Sequence, residues 1–592
     1  MRDVIIIGAG GGGPVVAKEL AARGLDVLIL EGGPALANSE EDFTHFEDDA
    51  NNPITGFLRL GPKERERGPW LPDFAQQSYL WHVAGVGGTT LSYFANKPRA
   101  MPGVFQGYNG ADADMYDREH EFPFSYESMI PYYEWVEETL PVQTAAIGRK
   151  EEQFLNAAAA IGLPFQTGKN ITGPGHRAQE NGILQPEGTA GRTNDSSQLN
   201  YPQAKGCTFC GHCYQGCIEP LKAPRNLKAR RSTDNSYVPM MLTADAWSPS
   251  GRSAELRANC YVTKILTDGW GSQRRATGVK FRDQDNYTQT ETAKVVILAG
   301  GASESPRLWL DSYLPNPNDW VGRGLTDHHM DWIVGFMDDD IGSTFGAGSA
   351  ARADFPGYGG VENVCLPPAL QAFALGYSDS GISGYYNNGS SVDSAGADTV
   401  GRLVGEKLVE ALSDTNKLLT GLVLTDDDVE KNNRIKLSNI LPDTTHGARP
   451  RIEIQHRNRS QRTRRNREYL AKRTVEMMRA AGAKWVHRCN WPPLILHSHS
   501  SMRMGADPRN SVVDENGESR AVSNLFITDT SSLANSLGGP NPTLTMQAIA
   551  TRTAEHIFQA HFGGDPWVLS ESPVSSIDDR VTQAVINRGL FS

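Results

Sequence analysis

An imidazole that takes a proton and an amide that holds an oxygen are the two groups a hydroxyl needs while its carbon gives up hydride. The stretch from His497 to Ala550 carries both, with His497-Ser-His499 at one end and Asn541-Pro-Thr-Leu-Thr545 at the other, where Pro542 marks the head of a helix. His497 or His499 can be the base, and Asn541 its orienting partner. In an extended segment the two rings, two residues apart, point to opposite faces, so only one lines the site. The chemistry this pairing suggests is oxidation of an alcohol on a flavin. A His beside a Ser-rich turn is more often a satisfied structural residue, so the rest of the chain must supply the cofactor.

The elements that position a cofactor lie at the N-terminus. Asp3-Val-Ile-Ile-Ile-Gly8 reads as a buried parallel strand; Gly8-Ala-Gly10-Gly-Gly-Gly13 follows and opens a helix from Pro14 to Arg23; Val27-Leu-Ile-Leu30 is a second strand ending in Glu31. In such a βαβ unit the glycines let the backbone approach a pyrophosphate at the helix N-terminus, and the acid takes the ribose hydroxyls. An acidic Glu31 disfavours a 2′-phosphate, so FAD or NAD is expected rather than NADP.

Further motifs carry a resemblance over most of the length. Beside the glycines and Glu31 stand Val86-Gly-Gly-Thr-Thr-Leu-Ser92 with Arg99 after it, and Val295-Val-Ile-Leu-Ala-Gly-Gly-Ala302 followed by Ser305-Pro-Arg307. Val321-Gly-Arg-Gly-Leu-Thr-Asp327-His328 and the C-terminal block complete the set. With these the chain resembles the glucose-methanol-choline (GMC) oxidoreductases, a family of FAD-dependent enzymes. The resemblance implies an α/β + α fold: a Rossmann-like FAD-binding domain of discontinuous segments (1–45, 80–100, 205–330 and 495–565) and an inserted substrate-binding domain of antiparallel sheet plus helices (101–204 and 331–494). An extended excursion at 46–79 and a C-terminal tail at 566–592 remain outside both.

Measured back from Arg503-Met-Gly505, the family's catalytic His falls on His497 and its partner position on Asn541. The positions implied to contact FAD are Gly8, Gly10, Gly13, Glu31, Gly87, Gly88, Thr89, Val262, Ala299, Asp529 and Thr543. Ser92 stands where relatives that bind FAD covalently carry a His, so a non-covalent FAD is implied. By the same resemblance the substrate is a small-molecule alcohol, of the sugar, glycoside or polyol class, with fatty alcohols and sterols as alternatives. Hydride passes to flavin N5, and the final electron acceptor is oxygen, a quinone, a dye or a partner protein. Trp70, Tyr79 and Trp81 are candidates to stack on a sugar, although core packing is the commoner role of such rings.

Four of the seven cysteines fall in Cys207-Thr-Phe-Cys210-Gly-His-Cys213-Tyr-Gln-Gly-Cys217. Their C-x₂-C-x₂-C-x₃-C spacing matches a bacterial ferredoxin run, which makes these four candidate iron-sulfur ligands; Ile218-Glu-Pro220 departs from the Pro that usually follows the last Cys. Reduced thiols or disulfides are the alternative, and zinc, which more often uses two separated Cys pairs, a third. An electron-relay subunit of a membrane-linked sugar dehydrogenase complex would use such a cluster as its wire.

At 592 residues the chain is long enough for two well-buried cores. A net charge of −12 argues against a nucleic-acid partner. The basic run from Arg457 to Arg473 has helical spacing and is expected to be a solvated face. Met1-Arg-Asp leads directly into the first strand, and no apolar run reaches membrane-spanning length. A cytoplasmic location is expected by default, with periplasmic export alongside a signal-bearing partner as the alternative. Helices are expected at Tyr132–Leu140 and Glu151–Ile161, small antiparallel strands between Leu256 and Ala299, and a flexible loop at 340–400, a region rich in Gly, Ser, Tyr and Asp.

Overall fold

The computed structural model describes residues 1–35, 73–74, 79–376, 378, 393–440, 447–454, 459–491 and 494–590, with backbone only at 73, 74, 79 and 80 and at Gln215. Most of the expected excursion, Trp70, the side chain of Tyr79, Arg457 and the Tyr385 to Ser391 stretch lie outside the described residues.

The chain opens with strand β1 (Arg2–Ile7), helix α1 (Gly13–Ala21) and strand β2 (Val27–Leu30). Val4 to Ile7 and Val27 to Leu30 are buried on both faces, as parallel strands covered by helices require. Helices α2 (Tyr126–Thr139) and α3 (Arg149–Ala160) follow, then strand β3 (Gly175–Ala178). Helix α2 begins earlier than its apolar pattern suggests, because Ser125 caps it by accepting from the Ser128 amide and Pro131 is accommodated inside it. Next come β4 (Glu255–Arg257), β5 (Tyr261–Asp268), β6 (Arg275–Arg282), β7 (Thr288–Leu298) and helix α4 (Gly301–Asp311). Strands β8 (Asp331–Phe336), β9 (Ala351–Phe355) and β10 (Gly359–Asn363) lead to helix α5 (Pro368–Gly376). Then follow β11 (Thr399–Val400), β12 (Leu418–Thr425), helix α6 (Gln461–Ala480), β13 (Trp485–Cys489), β14 (Leu525–Ile527), helix α7 (Pro542–Phe562) and helix α8 (Asp579–Asn587).

Two seven-stranded sheets organise these elements. In the first, β4, β2, β1, β7 and β14 run parallel in that order, and β7 also joins the antiparallel meander β5-β6-β7. The antiparallel strands expected between Leu256 and Ala299 are therefore β5 to β7; β4 pairs parallel with β2. The second sheet runs β11-β13-β8-β12-β10-β9-β3, antiparallel throughout except for β11.

Alternation along the second sheet separates two cores. Ile333, Ala351, Ala353, Val361, Leu419 and Val423 pack on α3 and α6. Trp332, Val334, Leu418, Leu422 and Leu424 face the other way, into a cluster with Trp81, Leu366, Leu370 and Trp491. This corrects the expectation of a loop across 340–400, because residues 351–363 form the hairpin β9–β10 and 368–376 a helix. Glycine content there serves close strand packing: a Cβ on Gly359 would stand 2.1 Å from the Leu424 carbonyl oxygen. The stretch after 566 folds back onto the body, with Trp567 buried beneath the Arg23 guanidinium, 3.4 Å from its ring.

The basic run also differs from the expected solvated face. Arg464 and Arg465 are exposed, but Arg459 pairs with Asp427, Arg462 with Asp426 and Asp428, and Arg467 with Asp331. Asp331 is fully buried and also accepts from Arg488 Nε at 2.9 Å, so it ties α6 to β8 and β13. Removing one member of a buried ion pair leaves its partner desolvated and unpaired. Asp331→Ala should therefore lower stability by about 3–5 kcal/mol, read as a drop in the denaturant midpoint, whereas Arg464→Ala should leave the midpoint unchanged.

Candidate active site

A cleft of about 330 Å³ runs between the first sheet and the second. One end is built almost wholly of backbone. Gly8 has φ +105°, and a Cβ there would meet the Ala299 oxygen at 2.5 Å; a Cβ on Gly12 would meet the Thr528 oxygen at 1.8 Å. Only glycine lets β1, β7 and β14 converge this closely at the head of α1. No side chain caps α1, so its first-turn amides and the positive end of its dipole are turned to the cleft. Gly8, Gly10, Glu31, Gly88, Thr89, Val262, Ala299, Asp529 and Thr543 all line it. Gly13 and Gly87 stand just behind this lining. A Cβ on Gly13 would lie 2.1 Å from the Gly8 oxygen, so Gly13 is needed for helix-on-strand packing; Gly87, at φ +108°, ties the loop to Ala9 through its amide at 2.8 Å.

Two buried carboxylates brace this end. Glu31 accepts from the amides of Ala9 at 2.7 Å and Gly33 at 2.8 Å, and burial raises its pKa against those donors. Asp529 accepts from the amides of Gly301 at 3.0 Å and Ser531 at 2.8 Å and from Ser305 Oγ at 2.5 Å, and burial raises its pKa too. Ser92 lines the cleft, and its buried Oγ has no hydrogen-bond partner among the described residues.

At the other end a chain of imidazoles fixes one tautomer. His328 Nε2 lies 3.2 Å from the Ser536 carbonyl oxygen, which can only accept, so that nitrogen carries the proton. Burial first, then His497 and His499, hold His328 well below the usual imidazole range, so it is neutral and its Nδ1 is an acceptor. His497 Nδ1, 3.1 Å away, must then be the donor. The lone pair of His497 is left on Nε2, facing Asn541 Nδ2 at 3.4 Å. Burial, aided by His499 and Arg352, pushes His497 down to about 3. Its backbone amide is held by Asp327 Oδ1 at 2.9 Å, and burial pushes Asp327 up to about 7.

His499 turns away. Its Nδ1 donates to the His497 carbonyl, its backbone pairs with Thr326, and it is fully buried outside the cleft lining. His497, in contrast, lines the cleft.

Asn541 is the residue before the first turn of α7, a position where Asn normally caps with its side chain. Here its side chain makes no cap. Its Oδ1 faces Arg352 Nη1 at 3.5 Å, while its amide donates to Glu362 and turns Nδ2 toward His497. Arg352 and Glu362 are both fully buried, 3.1 Å apart, and Asn96 Nδ2 donates to Glu362 at 2.9 Å. Their placement follows from the pleat: Arg352 and Glu362 sit on the strand face opposite Ala351, Ala353 and Val361.

Cys207, Cys210, Cys213 and Cys217 are free thiols on a loop whose Tyr214 lines the cleft. Burial, with Cys213 and Cys217 adding to it, pushes Cys207 up to about 12. Among the described residues no group of three or more His, Cys, Asp or Glu side chains is arranged to hold a metal ion, these cysteines included. Nor is any helix among them long and apolar enough to cross a membrane.

Residues 193–330 and 429–550 match the N- and C-terminal profiles of the GMC oxidoreductases. The chain belongs to the GMC oxidoreductase family. It is 25% identical to the fructose dehydrogenase large subunit of Gluconobacter japonicus, over 94% of this chain and 97% of that one. Paromamine 6'-oxidase of Streptomyces fradiae is 24% identical over 94% and 91%. The crystal structure of pyridoxine 4-oxidase from Mesorbium loti superposes with a TM-score of 0.59 at 16% identity, covering 95% of this chain and 100% of that one, which shows a shared fold.

As a GMC oxidoreductase the protein acts on CH–OH groups and uses FAD. The glycine cradle, the uncapped helix head and the unpartnered Ser92 hydroxyl fit that cofactor. His328, Arg352 and Glu362 escaped the sequence reading, although His328 stands inside one of the recognised motifs. Gly10 gives a clean test of the cradle, since an added Cβ there has only an ordinary 3.9 Å contact, with Gly88 Cα. Gly10→Ala should fold with an unchanged melting temperature in the flavin-free protein, yet lose about 1–3 kcal/mol of FAD affinity through crowding of the cofactor, measured by flavin titration. Unaltered FAD affinity would show that the cofactor does not approach this backbone.

Proposed function

We propose that this GMC oxidoreductase oxidises an alcohol to a carbonyl with His497 Nε2 as the base. The observation that carries this reading is the facing pair of His497 Nε2 and Asn541 Nδ2, 3.4 Å apart on the wall of the cleft that the glycine cradle opens into. A hydroxyl inserted between them donates its proton to Nε2, while the Asn541 amide donates to the oxygen as negative charge grows there. Arg352, behind Asn541 and paired with Glu362, fixes the orientation of the amide through its Oδ1. His328 accepts from His497 Nδ1 and keeps the lone pair turned to the substrate. FAD, when bound in the Rossmann-like domain of discontinuous segments, supplies at N5 the acceptor for the hydride that leaves the carbinol carbon.

The FAD is held without a covalent bond, since the cleft position that carries a His in covalent relatives is Ser92. The inserted domain, built on the second sheet, supplies Arg352, Glu362 and the substrate wall.

A relay role for the Cys207 to Cys217 loop is the second reading, drawn from its ferredoxin-like spacing and set against thiols that, among the described residues, are not arranged to hold a metal ion. Stoichiometric iron and acid-labile sulfide in anaerobically purified protein would support it. Their absence would leave the thiols structural and electrons passing directly to oxygen or to a quinone, dye or partner-protein acceptor.

His497→Ala should retain FAD and slow anaerobic flavin reduction by the alcohol ~10²-fold or more, the lower end of general-base contributions; acid precipitation of either protein should release the flavin to the supernatant. A near-active His497→Ala alongside an inactive His499→Ala would reverse the assignment, and flavin retained in the washed pellet would show a covalent bond.

A further inference from the structure

The second sheet and its connections do more than cover the site. The wall they present beside His497 is apolar: Trp81, Trp332, Leu366, Phe373, Leu422 and Trp491 all line the cleft and belong to one hydrophobic cluster. The aromatic rings are committed to one another, with Trp332 stacked on Trp491 at 5.4 Å between centroids and Trp81 set edge-on to Tyr214 at 4.3 Å and to Phe373 at 6.0 Å.

Of the polar side chains in this lining, His82, Ser498 and Glu362 are also committed, while the unpartnered Ser92 hydroxyl belongs to the end assigned to the cofactor. His82 Nε2 and Ser498 Oγ are joined at 2.8 Å, and Glu362 accepts from Asn96 while pairing with Arg352. Glu362 therefore offers no uncompensated charge to a cationic substrate. Among the described residues the pair that faces an incoming hydroxyl is His497 and Asn541, which together accommodate one.

From this we infer that the alcohol oxidised here carries a single reacting hydroxyl on a hydrocarbon body, aliphatic or aromatic, in place of the polyol that the sugar-oxidising relatives suggest. The inference rests on the proposed alcohol oxidation at His497 and narrows its substrate class. A second hydroxyl pressed against Trp332, Leu422 or Leu366 loses its water and gains no partner, a penalty of roughly five- to hundredfold in affinity per group. Each methylene placed on the same surface instead gains about fourfold, which is ~0.8 kcal/mol of apolar burial.

The test uses the FAD-loaded enzyme and follows anaerobic bleaching of the flavin with two panels: straight-chain primary alcohols from 1-butanol to 1-octanol, and glucose, fructose and glycerol. The expected result is a second-order rate of bleaching that climbs about fourfold per methylene until the cleft is filled, with each polyol at least ~10²-fold slower than the alkanol of similar size. Polyols that match or exceed the alkanols, or a rate indifferent to chain length, overturn the inference and leave alcohol oxidation standing. Failure of every alcohol to bleach a flavin that dithionite still reduces overturns the proposed alcohol oxidation, and the substrate class with it.

Discussion

An imidazole lone pair that is to take a proton has to be held neutral and aimed; burial does the first, and the hydrogen bond from His497 to His328 does the second. Its direction is set one step further away, at the Ser536 carbonyl, which accepts the only proton that neutral His328 carries. The elements that frame the site converge on this short chain. Asp327 fixes the His497 amide, Thr326 pairs with the strand-like backbone at His499, and Ser536 is held between Asp426 and Asp427. Those two acids are in turn neutralised by Arg462 and Arg459 at the head of α6. Burial that depresses an imidazole is ordinarily a cost, and here it keeps the base unprotonated.

The partner group is organised by the opposite strategy. Asn541 gives up its capping bond to α7 and is gripped by a buried Arg352–Glu362 pair on β9 and β10. A buried ion pair contributes little net stability after desolvation is counted, so its value lies in direction: it points the amide nitrogen, and not the oxygen, at the reacting hydroxyl. At the far end of the cleft a similar economy of side chains holds. Gly8, Gly12 and Gly13 let three chain segments meet within backbone contact, and helix-terminal amides serve where no side chain fits.

The legible parts of the sequence were those whose signal is local. Buried parallel strands are runs of Val, Ile and Leu, so β1 and β2 could be read with the glycines and Glu31 between and after them. The family motifs carried His497, Asn541 and the glycines, Glu31 and Asp529 of the cofactor end, but not the aromatic and aliphatic wall. What escaped depends on pairing between distant residues. In Ala351-Arg-Ala-Asp-Phe355 the alternation of small and charged residues is a strand pattern with the charges turned inward, but Gly- and Ser-rich neighbours made the region read as loop. The Arg457 to Arg473 run looked solvated because Asp331, Asp426, Asp427 and Asp428, which bury part of it, lie far back in the chain. The choice between His497 and His499, which the motifs carried, has one local and one distant cause: the His499 ring turns back to the carbonyl two residues before it, and its backbone is pinned to Thr326 far back in the chain.

The neutrality of His497 is the claim on which the chemistry rests, and the pH dependence of anaerobic flavin reduction at saturating alcohol tests it most directly. With the imidazole depressed to about 3, the base stays deprotonated throughout the range in which the protein is handled. The reduction rate should then stay flat from pH 8 down to pH 5. A sigmoidal loss of rate with a midpoint at roughly 6.5, the value of an unperturbed imidazole, that persists when Asp327, itself pushed up to about 7, is replaced by Asn would contradict the buried, hydrogen-bonded base and the tautomer assigned to it.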